Sequence, residues 1–315
     1  MPITVTPDNF VRAETDLYFS NLVQNGGFGT FHHIRELSPL DNQLVIRQNR
    51  DTLYSAGVFD LDAGSATITL PDADDRFMSL QVITEDHYVP EVIYSSGTYT
   101  LTRDAIGTRY VMAAVRTLVD PNSPADMDAA RGLQDGLTVQ QDGGGNFQMP
   151  DWDPLSQKQV RDALLALART LPDTKRAFGT QQDTDPVRHL ICSASAWGGN
   201  PESEALYLNV TPSANDGSTV YRLHLTDVPV DGFWSVTVYH KDGYFTPNPQ
   251  NAYSLNNITA AKNADGSVDI QFGGCDGSVT NCLPVTEGWN YLVRLYRPRP
   301  EILDGSWTFP EAIPA

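Results

Sequence analysis

The sequence predicts a mainly β protein, with two β-domains and helices between them. Three observations predict it. From residue 44 to 117, apolar and polar residues alternate in short runs broken by turn residues, as half-buried strands require. The same pattern returns after residue 204 and continues nearly to the end. Between the two stretches the period changes to that of helices. Short strands with frequent turns point to sandwiches.

The elements follow in order. Residues 7–25 read as a helix, with Thr6 as cap, Pro7 at the first helical position and Gly26-Gly27 as the stop. Phe10, Ala13, Leu17 and Leu22 form its apolar face. In "FDLDAGSATITL" two strands flank an Ala-Gly-Ser turn; "RFMSLQVI", "GTYTLT" and "RYVMAAVRTL" follow as strands. Residues 121–141 hold a second helix capped by Ser123, and "GGGN" at 143–146 marks a break. A third helix opens on a Ser156/Gln159 capping box, carries Val160, Leu164, Leu167 and Leu171 on one stripe and stops at Pro172. The later strands are separated by turns at Asn215-Asp216-Gly217, Lys241-Asp242-Gly243 and Asp265-Gly266. The expected division is 1–120, a helical linking region at 121–190, and 191–315.

Length and composition narrow the class. The 315 residues are 40% hydrophobic and 19% charged, a globular balance. Thirty-nine acidic against 21 basic side chains give a net charge of −18, which repels phosphate backbones and anionic headgroups. Nucleic acid is therefore not an expected partner. No apolar run is long enough to span a bilayer, and the N-terminus lacks signal-peptide character. The expected compartment is either the cytoplasm or, for a mature exported chain, the periplasm or exterior. Cys275 and Cys282 either close a small loop or stand as free thiols.

Familiar catalytic motifs fail on context. "GGCDG" around Cys275 has the letters of a nucleophile elbow, but "SVTNCLPV" supplies no helix after it. "NGGFGT" is a helix stop rather than a dinucleotide loop, and no His-Glu-x-x-His or paired Cys-x-x-Cys occurs.

Polar side chains concentrate in three places. In "VIRQNRDTLYS", read as a strand over 45–51, Arg47, Asn49 and Asp51 share one face and Ile46, Gln48 and Arg50 the other. A guanidinium, an amide and a carboxylate so aligned suit a polar substrate, with Arg gripping a carboxylate or phosphate; an Arg–Asp pair stitching a strand end is the structural alternative. In the strand from Phe77, Gln81, Ile83, Glu85 and His87 share a face. Glu85 and His87 fit a general acid/base couple, or two ligands of a metal completed by His32, His33 or Glu36; a surface salt bridge is the plain alternative. In "GFWSVTVYHKDGYF", Trp234, Val236 and Val238 point to the core, and Ser235, Thr237 and Tyr239 point away from it. Trp197 in "AWGGNP" is a candidate pocket wall, with core packing as its alternative.

These stretches together resemble a two-domain family, DUF1254 followed by DUF1214. "RQNRDTLYSAGVFDL" and "TITLPDADDRFMSLQVI" resemble the signature of the first domain. "DGFWSVTVYHKDGYFTPNPQNAYSLNN" and "NYLVRLYRPRPEILDGSW" resemble that of the second. One departure is Cys282, where longer members tend to carry Trp. The resemblance implies an immunoglobulin-like sandwich followed by a jelly-roll-like sandwich, and for many members export. It implies no settled reaction.

The expectation from residue chemistry is a hydrolase of a small ester, lactone or amide, working without an organic cofactor. Arg47, Asn49 and Arg50 position the substrate, with Trp197 and Tyr239 beside them. His87 is the base, Glu85 or Asp51 orients it, and Tyr54 or Tyr239 donates to developing charge. The alternatives are a ligand- or carbohydrate-binding envelope protein, and a metal-dependent hydrolase or lyase. A homo-oligomer is compatible with exposed sheet edges.

Overall fold

Residues 1–43 and 46–315 are described by a computed structural model. The chain divides into two units, one of residues 1–35, 53–118 and 127–202, the other of 36–52, 119–126 and 203–315. Most of 121–190, expected as a linking region, thus falls within the first unit.

In the first unit, α1 (Phe10–Gln24) is followed by β1 (His32–Ile34), β2 (Thr52–Asp60), β3 (Ala66–Leu70), β4 (Met78–Thr84), β5 (Glu91–Ile93), β6 (Gly97–Leu101), α2 (Arg103–Ile106) and β7 (Tyr110–Leu118). Then come α3 (Pro124–Asp135), β8 (Thr138–Gln140), α4 (Pro154–Ala168) and α5 (Pro186–Ser195). A five-stranded sheet, β1-β2-β7-β4-β5, faces a three-stranded sheet, β6-β3-β8. Between them lie Phe59, Ile68, Leu80, Val82, Val111 and Val115, all without solvent exposure. The other face of the larger sheet buries Val58, Ile83, Tyr110 and Met112 against Phe19 of α1.

In the second unit, β9 (Ala205–Val210), β10 (Tyr221–Leu225), β11 (Trp234–Tyr239), β12 (Ser254–Asn256), β13 (Val268–Phe272), β14 (Cys282–Leu283) and β15 (Asn290–Tyr296) precede α6 (Pro300–Leu303) and β16 (Ile313–Pro314). They form two four-stranded sheets, β14-β13-β10-β16 and β12-β11-β15-β9. Eight strands in two sheets match the count of a jelly roll. The core is strongly aromatic: Phe272 lies 5.2 Å from Trp289 and 5.0 Å from Tyr291, ring centre to ring centre. Trp234, Val236 and Val238 face this core, as their alternation predicts. Gly217, Gly243 and Gly266 each adopt positive φ, so the three turn motifs are turns for the expected reason.

Several elements differ from the reading of sequence. The first helix begins at Phe10, not Pro7, because Asn9 Oδ1 accepts from Thr6 N–H and shapes a turn ahead of it. The helix expected over 121–141 ends at Asp135, and Thr138–Gln140 pairs with β3. The cap of α4 is Asp153, whose carboxylate accepts from Ser156 N–H, so the Ser156/Gln159 box does not form. α5, with Asp185 as cap and Pro186 at its first position, was not anticipated.

Candidate functional site

Residues 46–51 are not a strand. Val45 lies outside the described residues, Ile46-Arg47 form a turn with Arg47 at φ 55°, and β2 begins only at Thr52. The backbone has other partners. Arg47 N–H donates to Gly243 O, Asp51 N–H to Asn49 Oδ1, and Ser38 Oγ to Asn49 O. A segment whose polar groups are claimed by side chains and loops leaves none for a ladder.

The Glu85/His87 expectation fails for a related reason. β4 ends at Thr84, and Thr84–Tyr88 is a turn in which His87 sits at φ 61°, so the two side chains do not share a strand face. Glu85 is buried, accepts from Tyr110 N–H and lies 3.6 Å from Arg12. His87 has no solvent exposure, and its Nε2 accepts from Gly198 N–H at 2.8 Å. Burial, helped by His189, pushes the His87 pKa well below its ordinary range. This is a neutral, sealed imidazole, the opposite of a base facing water. Trp197 is stacked on it at 5.1 Å and on Tyr18 at 4.2 Å. Tyr54 lies half-buried with the Arg116 guanidinium 5.7 Å from its ring. His33 bonds Ser55 Oγ. Among the described residues no three His, Cys, Asp or Glu side chains come close enough to hold a metal, so the constellation of His32, His33, Glu85 and His87 does not form.

The second unit brings the other candidates together. β12, β11 and β15 lie side by side with Asn256 opposite Ser235 and Ser235 opposite Arg294; one step along, Ser254 is opposite Thr237. The row Ser235, Thr237, Tyr239 is therefore turned away from the core, as expected, but it is fully covered rather than solvated. Arg294, 3% exposed, donates to Thr237 Oγ1 (2.8 Å), Tyr239 OH (2.8 Å) and Arg47 O (2.9 Å). Asp51, also buried, accepts at Oδ1 from Ser254 Oγ (2.9 Å) and Asn256 Nδ2 (3.1 Å). Ser254 gives its proton to Asp51, so the 2.9 Å contact between Thr237 and Ser254 has Thr237 as donor. The result is a directed relay of hydrogen bonds, Arg294 to Thr237 to Ser254 to Asp51. Burial lowers the pKa of Arg294, but the nearby phenols of Tyr239 and Tyr296 and the Asp51 charge outweigh it and hold the guanidinium charged. Burial raises the Tyr239 pKa against the opposing pull of Arg294. Asn49 donates to Tyr296 OH at 3.1 Å, and the Arg47 guanidinium sits 5.9 Å from the Tyr239 ring centre. Arg47 Nη1, Asp51 Oδ2 and Ser235 Oγ are buried without hydrogen-bond partners among the described residues.

Ser254 also opens this network to a pocket of about 420 Å³. Among the described residues Arg50 is its one charged lining group. The guanidinium lies 5.5 Å from the Tyr253 ring and 5.9 Å from that of Phe245, and donates to Ser38 O. Burial lowers its pKa, opposed by the Tyr253 phenol, and no carboxylate pairs with it among the described residues. Around it stand the carboxamides of Asn122, Gln250 and Asn281 and the hydroxyls of Ser254, Thr259 and Thr280. The Cys275–Cys282 disulfide, formed here, closes the loop that makes one wall. Sequence reasoning missed Ser254, Asn256 and Arg294. The available signal was Arg294 itself, a single charge inside the otherwise apolar run "YLVRLY".

Two family models match the chain, with bounds that differ from those of the units: residues 36–52 and 119–126 lie in the first match but in the second unit. A family model described as a protein of unknown function, DUF1254, matches residues 28–141, and a second, DUF1214, matches residues 205–300. The chain belongs to the DUF1254/DUF1214 two-domain family. A crystal structure of a Vibrio parahaemolyticus protein, a structural-genomics target, is similar with TM-score 0.74 at 17% identity, covering 97% of this chain and 96% of that one. An uncharacterized Burkholderia cenocepacia protein is similar with TM-score 0.52 at 14% identity, covering 93% and 84%. At these identities the likeness is one of fold. No curated protein matches the chain. Among the described residues no helix is long and apolar enough to cross a membrane.

Proposed function

We propose that the second unit binds a small organic anion, a carboxylate bearing several hydroxyls, in the pocket over Arg50. The observation that carries this reading is a half-buried guanidinium without a carboxylate partner in a pocket lined by no acid. Such a cation has lost hydration without gaining a counter-charge, and a ligand carboxylate offsets that loss with charge-assisted hydrogen bonds. The Asn122 and Asn251 carboxamides and the Thr280 hydroxyl offer donors and acceptors to sugar-like hydroxyls, and the pocket volume is in the range of small-molecule sites. Isothermal titration with glucuronate and with glucose tests it. Glucuronate should bind at least about tenfold more tightly, the value of one charge-assisted bond, and Arg50→Gln should remove the difference. Equal binding of acid and neutral sugar, or an Arg50→Gln protein that still discriminates, defeats the reading.

Hydrolysis of a small ester or lactone is the second reading, and one observation favours it. The Ser254 hydroxyl lines the pocket with its proton already directed at the buried Asp51 carboxylate. Turnover of a lactone panel by the native protein but not by Ser254→Ala supports it; turnover unchanged by Ser254→Ala, or none by either, removes it.

A further inference from the structure

The wall of the pocket raises a question that binding alone leaves open. Six of its lining residues, Cys275, Gly277, Val279, Thr280, Asn281 and Cys282, belong to the single loop closed by the disulfide. That loop sits outside the core of its unit. Both cysteines are only half-buried, so a small reductant can reach them, whereas Leu283 and Phe272 beside them are fully buried and pair β14 with β13. Few other ties hold the loop. The ends are tied: Gln250 Nε2 donates to Cys275 O, Asn281 bonds Ala261, Asp269 O and the N–H of Gln271, and Cys282 pairs with Gln271; between them the Asp276 carboxylate accepts only from groups of the loop itself, at Ser278 and Val279, among the described residues. Residues 277–280 therefore depend on the bridge for their place on the pocket.

We infer that the Cys275–Cys282 disulfide is a redox gate on this pocket: the bridged form binds the ligand, and reduction by a dithiol releases the wall and weakens binding. The inference rests on the pocket reading above. In the step itself a dithiol gives two electrons and two protons, the sulfur–sulfur bond breaks to two cysteine thiols, and the reductant becomes a disulfide. Cys192, the free cysteine, is buried in the other unit and takes no part.

The test is isothermal titration of glucuronate into the full chain in three forms: oxidised, reduced with dithiothreitol, and reoxidised. A Cys275→Ser/Cys282→Ser protein is run alongside, with urea unfolding of each. The expected result is a tenfold or greater loss of affinity in the reduced and double-serine forms, recovery on reoxidation, and an unfolding midpoint for the second unit that barely moves. Affinities equal within twofold in oxidised and reduced forms overturn the gate and leave the pocket reading standing. Loss of the unit's unfolding transition on reduction also overturns it, since the bridge is then a structural staple. Absence of glucuronate binding in the oxidised form removes the pocket reading and the gate together.

Discussion

Asp16 lies on α1 with 2% exposure, and replacing it by Asn removes a charge that the fold holds at a disadvantage. Its Oδ2 accepts from Trp152 Nε1 at 2.8 Å, and its Oδ1 has no hydrogen-bond partner. Burial raises its pKa from 3.8 to about 6; the Trp152 bond opposes the rise, and the Glu85 charge adds to it. Because the folded state holds the proton more tightly than the unfolded chain, stability is greatest below pH ~4 and falls as pH rises to about 6. The distance between those two values corresponds to ~3 kcal/mol once ionisation is complete. An Asn keeps the acceptor for Trp152 and places an uncharged amide where Oδ1 stands, at a cost that does not depend on pH. The difference in unfolding free energy between Asp16→Asn and the native protein should therefore move by ~2.5 kcal/mol in favour of the variant between pH 4, where part of the shift is already felt, and pH 7.5. Urea unfolding at the two pH values measures it. A difference that stays constant across this range, or grows toward pH 4, refutes the reasoning.

His87 should act in the opposite direction. Its pKa is depressed in the folded state, so its contribution is fully present above pH ~6.5 and is lost as pH falls below that value; His87→Gln should flatten this part of the acid limb in urea unfolding at pH 5 to 7. Arg294→Met removes a buried donor and leaves Tyr239 OH, Thr237 Oγ1 and the Arg47 carbonyl each one hydrogen bond short, and unfolding should show a loss of ~3 kcal/mol or more. Asp60→Ala should be similarly damaging. The Asp60 carboxylate accepts from Arg109 and from the N–H groups of Asn146 and Asp62, and these outweigh the effect of burial and lower its pKa. That stability is present above the unfolded pKa of ~3.9 and fades as pH falls through the lower folded value. Asp60→Ala unfolding like the native protein at pH 7 contradicts it.

The sheets were legible because alternation and turn chemistry are local. The row Ser235, Thr237, Tyr239 and the core row Trp234, Val236, Val238 divide in the structure as period two requires. Segments 46–51 and 84–88 were misread because their residue types fit a strand while their backbone groups bond elsewhere, to Gly243 in one case and within the turn in the other. Nothing within a short window reveals such a partner. Site residues divided likewise. Arg47, Asn49, Arg50, Asp51 and Tyr239 meet around the second unit's network and pocket. His87, Glu85, Tyr54 and Trp197 belong to the packing of the first unit. A histidine that titrates and one that fills a core look alike in sequence, because the difference is made by residues such as Phe178, Trp197 and His189 far along the chain.

The most direct test of the Arg50 pocket is a crystal of the oxidised protein soaked with glucuronate. The account predicts density in the cavity beside the Cys275–Cys282 loop, with the sugar carboxylate within hydrogen-bond distance of the Arg50 guanidinium. Glucuronate bound with its carboxylate turned to solvent, or held elsewhere on the protein while this cavity contains only water, would contradict it.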